Sequence, residues 1–447
     1  MMMNRVKKHR DIFIIIFLIF LLIFQSRNLW LSFDRKPESR NAVNDVSEIL
    51  DEILMPQRII SNFGNRNHYI STNVLDFWKD YGNDISKILQ EINTKNLEAI
   101  SLKDYLNLQD KESIIFKFNS PLSGSIFVNF LGDDYGENNV NISVDSIYIS
   151  KDGEIYLTGV GNYYKILDHK VEFSIDDMLA DGEKSGIKAI NFYEAYGIEK
   201  DIYIPVASYT SVQKVSYTSG LFNLDERSKS NLAERFLDTP IDYIREISVA
   251  GKNTYVYEGE YLSISENGFL EYSLESEFNV PERNLYKSLN RAVEFIAQKT
   301  GISSGIYLEN TEQIEFNGSL GYRFFFNLKE GQTPMILTSR DHSFIEIDVF
   351  SDYVKNYREF YIRKADNPIY EEDEIYLESI HKILKKNKKI FSDTPVMDIL
   401  KEIDNLSIVY LSFSSLEYDD LLLVYEMVYK GNKYYLSVDE GKIVMVR

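Results

Sequence analysis

The apolar positions of this chain fall into three rhythms, and the most continuous comes first. Ile12 to Phe24 is an unbroken apolar run of thirteen residues, led by Arg5, Lys7, Lys8 and Arg10 and followed by Gln25, Ser26, Arg27, Asn28 and Trp30. The run alone is short of the roughly 20 residues that cross hydrocarbon, but a helix continuing through Leu31 reaches about 30 Å. A cleaved signal peptide, with its core of about 7 to 15 apolar residues, ends in a small-residue cleavage site. No small-x-small triplet follows Phe24, which favours an uncleaved anchor over residues 1–31 with its short cytoplasmic tip. The basic leader favours a cytoplasmic N-terminus, a bias weakened by Arg27, Arg35, Lys36 and Arg40 on the far side. No second run of this kind follows, so the rest of the chain is expected on one side, outside the cell. Polar groups at a helix end either snorkel to the interface or contact another transmembrane helix. Gln25, Ser26, Arg27, Asn28 and Trp30 are therefore the candidate partner-binding residues, with Trp30 as an interfacial anchor.

Beyond a polar linker at 32–44 the helical and strand rhythms alternate. Val46, Ile49, Leu50, Ile53 and Leu54 predict a helix stopped by Pro56, and a strand is expected at Gln57 to Phe63. Val74, Phe77, Trp78, Tyr81, Ile85, Ile88, Leu89 and Ile92 form one face of a second helix. Strands follow at Ser113 to Phe118 and Gly124 to Leu131, then a meander at Val140 to Tyr164 with an Asp152-Gly153 turn. Ser174 with Asp177 reads as a capping box opening a short helix to Leu179. These elements make an N-terminal domain at 45–182, with a boundary at Asp181 to Gly186.

A central domain at 187–280 is expected to hold strands near Ala189 to Tyr193, Ile202 to Ala207 and Val212 to Thr218, and a helix at Ser228 to Leu237. A hairpin turning at Asn267-Gly268 closes it. The C-terminal domain, 281–447, opens with an amphipathic helix carrying Leu285, Leu289, Ala292, Val293, Ile296 and Ala297 and ended by Gly301. Strands at Gly305 to Leu308, Tyr322 to Leu328, Met335 to Leu337 and Ser343 to Val349 precede helices at Asp373 to Lys385 and Pro395 to Ile403. A four-strand meander ends the chain. The fold class is α+β: a single N-terminal transmembrane helix, then a three-domain extracytoplasmic region of antiparallel sheets with packed helices.

Composition sharpens this picture. The chain carries a formal charge of -20; its first 33 residues hold five basic side chains against Asp11, so the remainder bears -24. A field of that sign argues against nucleic acid and anionic lipid unless local patches or cations intervene, and leaves cationic partners open. The absence of cysteine excludes disulfides, thiol catalysis and thiolate metal sites. Thirty-two tyrosines and 27 phenylalanines against nine prolines suit sheet faces covered by aromatic rings.

Candidate chemistry is sparse. Ser211-Val212-Gln213-Lys214, Ser265-Glu266-Asn267 and Lys299-Thr300-Gly301 follow the order of serine acyl-enzymes of the penicillin-interacting kind. Such a serine needs a helix N-terminus, whereas Ser211 sits in strand-like sequence, and the Lys-Thr-Gly caps a helix. Gly301-Ile302-Ser303-Ser304-Gly305 matches a nucleophile elbow by letters but joins a helix to a strand, the reverse of what that turn requires. His9, His68, His169, His342 and His381 form no close pair, so each is expected at a surface or loop, without metal or cofactor. Asp133, Asp134, Glu137, Asn138 and Asn139 offer oxygen ligands to calcium but lack EF-hand spacing; a solvated acidic turn is the plainer reading. Glu371 to Glu374 are read as favouring a helix start.

The basic leader, the run ending Phe24-Gln25-Ser26-Arg27-Asn28-Leu29-Trp30-Leu31 and the following Met55-Pro56-Gln57-Arg58-Ile59-Ile60 resemble the YycH family. So do Val215-Ser216-Tyr217-Thr218, the stretch from Leu262 to Tyr272, and Tyr322-Arg323-Phe324-Phe325-Phe326 before Gly331 and Pro334. The resemblance implies a non-enzymatic regulator of the cell-wall sensor kinase WalK of Gram-positive bacteria, working beside a sibling, YycI. An anchored module binding a small envelope ligand is the alternative, and a deep aromatic-lined pocket is what would favour it. A serine acyl-enzyme is the remote one.

Overall fold

The 3.6-residue spacing of Val46, Ile49, Leu50, Ile53 and Leu54 folds as expected into the helix Val46–Leu54, with Ile49, Leu50, Ile53 and Leu54 all buried. It is the first element of a computed structural model that describes residues 46–447, apart from 72–73, 75–76, 79–80, 83, 86–95, 124–141, 160, 214–215, 222–223, 250, 304, 332, 339–342, 365–371 and 414–418. The apolar run, with Gln25, Ser26, Arg27, Asn28 and Trp30, lies outside the described residues, as do the strand expected at Gly124 to Leu131 and the acidic loop Asp133 to Asn139. No helix among the described residues is long and apolar enough to cross a membrane. Val46–Arg447 forms one compact unit of the α+β class.

Nine strands make the first sheet: β1 (Arg58–Phe63), β2 (His68–Ser71), β3 (Leu97–Ala99), β4 (Glu112–Ser123), β5 (Ser143–Ser150), β6 (Glu154–Gly159), β7 (Asn162–Lys170), β8 (Ile187–Asn191) and β9 (Tyr203–Pro205). Their order is β3, β7, β6, β5, β4, β1, β2, β8, β9, antiparallel throughout. Gly153 turns β5 into β6 at φ +80°, the left-handed conformation a tight hairpin requires. Alternation along the strands splits the side chains between two faces. Ile59, Ile114, Phe116, Ile147 and Ile149 face the main core, where Trp78 stands edge-on to Phe116 at 5.6 Å between ring centres. Ile60, Ile115, Tyr148, Tyr156 and Tyr203 face the other way and meet Tyr105 of the helix Leu102–Leu108.

Several boundaries differ from the sequence reading. The helix after β7 spans Asp176–Ser185, and Ser174 is no capping box: its Oγ donates to Asp176 Oδ2 and accepts from the Asp176 N–H. This helix runs through the segment read as a domain boundary, and β8 and β9 after it extend the first sheet. Its Gly182 lies against β1, where a Cβ would collide with Ser61 Oγ. The strand expected to reach Tyr193 stops at Asn191, whose Oδ1 accepts from Tyr193 N and opens the one-turn helix Phe192–Tyr196. Val212 to Thr218 is two strands, Ser208–Gln213 and Ser216–Ser219, in different sheets. The helix expected from Asp373 begins only at Ile380; Glu372–Leu377 is a strand paired with Ser208–Gln213, and Ser379 supplies the cap.

The second sheet has thirteen strands. It runs from Arg245–Val249 through Phe269–Leu274, Tyr353–Phe360, Ile345–Phe350 and Ser319–Glu330 to Thr333–Leu337, then into the terminal meander that begins at Ile403–Ser412. One pairing is parallel, Met335 opposite Tyr410, and it joins the meander to the rest. The helices Glu226–Leu237 and Leu285–Lys299 both pack on this sheet. Val46–Leu54 packs in turn on Leu285–Lys299 and on the strand Ile306–Phe316, so the first helix is built into the second sheet's core.

Candidate functional site

β9 lies against the strand Ile403–Ser412, and Lys200, just before β9, donates to the Ile403 carbonyl oxygen. Around this junction the two sheets leave a cavity of about 490 Å³. That volume is within the roughly 300 to 1,000 Å³ of small-molecule sites. The first sheet contributes Arg58, Ile70 and Tyr203 to its lining. Opposite stand Tyr307, Tyr410 and Tyr425, with Ile336 and Pro334.

Three carboxylates share the cavity, and each is engaged. Glu309 Oε2 accepts from Asn327 Nδ2 at 2.6 Å and from Ser343 Oγ at 2.7 Å; burial nevertheless raises its pKa. Glu330 Oε2 accepts from Tyr217 OH at 2.6 Å. Glu426 Oε1 is held by Lys433 Nζ at 3.0 Å. Gln57 is also tied down, because Lys329 Nζ donates to its Oε1 at 2.6 Å.

Arg58 is different. Among the described residues its side chain has no hydrogen-bonding or ion-pairing partner. Burial pushes its pKa down, and the charge of Asp201 acts against that shift through space. Asp201 makes its hydrogen bonds elsewhere: Oδ1 accepts from Gln109 Nε2 at 2.6 Å and Oδ2 from Lys117 Nζ at 2.7 Å. Arg58 is half-buried at the cavity wall, and charges withdrawn from water are ordinarily paired because desolvating an ion is costly.

Behind Tyr203 lies a buried polar chain. Ser113 Oγ gives its proton to the Lys111 carbonyl and so must accept from Asn62 Nδ2, at 2.9 Å. Asn62 thereby turns Oδ1 toward His68 Nδ1, 2.8 Å away, and that nitrogen carries a proton. His68 Nε2 meets Glu194 Oε2 at 2.7 Å. His68 is fully buried, not at a surface or loop as expected: it sits on the tyrosine-lined face of β2, where partners 6 and 126 residues away satisfy it. His169 is half-buried on β7 and His381 is exposed; His9 and His342 lie outside the described residues.

The serine-enzyme motifs are placed as follows. Ser211 is in a strand, in register with Glu374, and at no helix start. Lys299 ends its helix with Nζ donating to the Arg235 carbonyl and to Asp238 Oδ2, both at 2.8 Å. Gly301 stops that helix at φ +84°, so the elbow-like stretch is a helix end, as read. The cleft itself was missed in the sequence. Arg58 stood in a quoted motif, but nothing in one strand reveals whether its charge finds a partner.

No family model and no curated protein matches the chain. Among solved structures it is similar to an uncharacterized protein from Eubacterium rectale ATCC 33656, at 12% identity and a TM-score of 0.37, over 55% of this chain and 91% of that one. It is also similar to the Bacillus megaterium YpeB C-terminal domain, at 12% identity and a TM-score of 0.28, over 51% of this chain and 98% of that one.

Proposed function

We propose that this chain is a membrane-anchored, non-enzymatic regulator of a cell-wall two-component sensor kinase. Its N-terminus is cytoplasmic and its folded region is extracytoplasmic. The resemblance to the YycH family names the partners: a WalK-type kinase and a YycI-type sibling. Gln25, Ser26, Arg27, Asn28 and Trp30 make the intramembrane contact in this reading.

The observation that carries it is the way the folded unit starts. The helix Val46–Leu54, the first described element, packs against Leu285–Lys299 and Ile306–Phe316 and so belongs to the core of the second sheet. In this reading the outer region acts on the anchor through the segment that begins with this helix. Replacing residues 12–31 by an unrelated apolar helix is expected to abolish kinase control and co-purification of the kinase. Unchanged kinase output with unchanged co-purification refutes the intramembrane contact.

The cavity favours a second reading, in which the folded region binds a small envelope ligand. Its volume of about 490 Å³ and its tyrosine lining suit such a ligand, and sensing and anchoring are compatible in one chain.

A further inference from the structure

We infer that the cleft between the two sheets binds a small organic monoanion, whose carboxylate pairs with Arg58 while its body lies on the tyrosines opposite. The inference rests on the ligand-binding reading above and adds the chemical class. Arg58 is the side chain in the cavity lining whose formal charge meets no hydrogen-bonding partner among the described residues, while Glu309, Glu330 and Glu426 are each engaged. The planar fork of a guanidinium matches a carboxylate through two parallel N–H···O bonds. Asp201 supplies no such pair: it acts on Arg58 only through space, while its own oxygens accept from Gln109 and Lys117.

Charge count selects the monoanion. A phosphate dianion would bring two negative charges to one guanidinium in a cavity that already holds three carboxylates, of which Lys433 offsets only Glu426. The chain as a whole carries -20, so anions are not gathered here by a general field; the attraction must be local. Tyr307, Tyr410, Tyr425 and Ile336 then offer apolar area to the uncharged part of the molecule.

The test uses the full chain in lipid nanodiscs and isothermal titration with three probes. These are hippurate, an aromatic acylglycine carboxylate; hippuramide, its neutral amide; and phenyl phosphate. Hippurate is expected to bind saturably at one site, with hippuramide and phenyl phosphate at least tenfold weaker. Arg58→Met is expected to weaken hippurate at least tenfold, leave hippuramide unchanged and raise the melting temperature of the ligand-free protein, since it removes a half-buried charge with no side-chain partner among the described residues. Ile336→Trp, which fills the cleft and leaves Arg58 in place, is expected to abolish hippurate binding.

Equal hippurate affinity in the wild type and Arg58→Met, with loss in Ile336→Trp, overturns the anion assignment and leaves the ligand-binding reading standing. Binding of neither hippurate nor hippuramide overturns both. A lowered melting temperature in Arg58→Met assigns that residue a structural role and overturns the inference. Tighter, Arg58-dependent binding of phenyl phosphate overturns the carboxylate in favour of a phosphate.

Discussion

Lys329 gives the packing around the cleft a quantitative test. It is 4% exposed on the strand Ser319–Glu330, and its ammonium donates to Gln57 at the cavity wall. Burial lowers its pKa from 10.5 to about 8, partly opposed by the charge of Glu52. Below about pH 8 the folded and unfolded chains both hold the proton, and this lysine contributes no pH dependence. Between about 8 and 10.5 the unfolded chain binds more protons than the folded one, so stability rises with pH across that window. At 1.36 kcal/mol per pH unit, the interval corresponds to roughly 3 kcal/mol.

Lys329→Met removes the charge at similar volume and forfeits the bond to Gln57, about 1 to 2 kcal/mol. At pH 7 the variant is therefore expected to be more stable than the wild type by about 1 to 2 kcal/mol. At pH 11, where the wild-type lysine is neutral, it is expected to be less stable by a similar amount. Urea unfolding followed by far-ultraviolet circular dichroism at pH 7, 8, 9, 10 and 11 measures the difference. The many tyrosines titrate in both proteins and cancel. A difference that stays constant over this range refutes the reasoning, because it means that the ammonium is as well solvated in the folded protein as in the unfolded one.

Two further changes probe the first sheet. Gly182→Ala places a Cβ against Ser61 Oγ and is expected to destabilise by about 1 to 3 kcal/mol in urea unfolding, with partial recovery in the double variant Gly182→Ala, Ser61→Gly. His68→Leu strips Glu194 Oε2 of its partner when Oε1 already has none; loss of about 3 to 5 kcal/mol is expected, and a loss under 1 kcal/mol would show that water reaches the pair.

What the sequence made legible follows from the range of the forces involved. The helices Val46–Leu54 and Leu285–Lys299 are visible because one apolar stripe fixes each, and both were located to within a residue or two. The Asp152-Gly153 and Asn267-Gly268 hairpins are visible because a glycine at positive φ is a local requirement. The hairpin Arg245–Val249 with Lys252–Tyr257 left no such mark: its outer strand is exposed along its whole length, so no alternation betrays it. The acidic run before Ile375 misled in the opposite direction. Charges that suit a helix start do not exclude a strand, and the true cap, Ser379, lies downstream of them.

The cleft was illegible for a deeper reason. Its walls come from positions between 57 and 205 on the side of the first sheet and from positions between 307 and 433, so no window of sequence contains it. Yet its placement ties the two halves of the proposed function together. Met55 ends the turn after Val46–Leu54, and Gln57 and Arg58 follow at once on the cavity wall, so the segment that leads from the linker is also the one a bound anion would hold. A ligand shifts a conformational equilibrium only by its difference in affinity for the two states. A charged hydrogen bond made in one state alone contributes about 1.5 to 3 kcal/mol, or roughly 10- to 150-fold. A shift of that size at Arg58 is enough to move a regulator between two settings, provided the core around Val46–Leu54 transmits it without yielding. The burial of Ile49, Leu50, Ile53 and Leu54 on that helix is what makes such transmission physically reasonable.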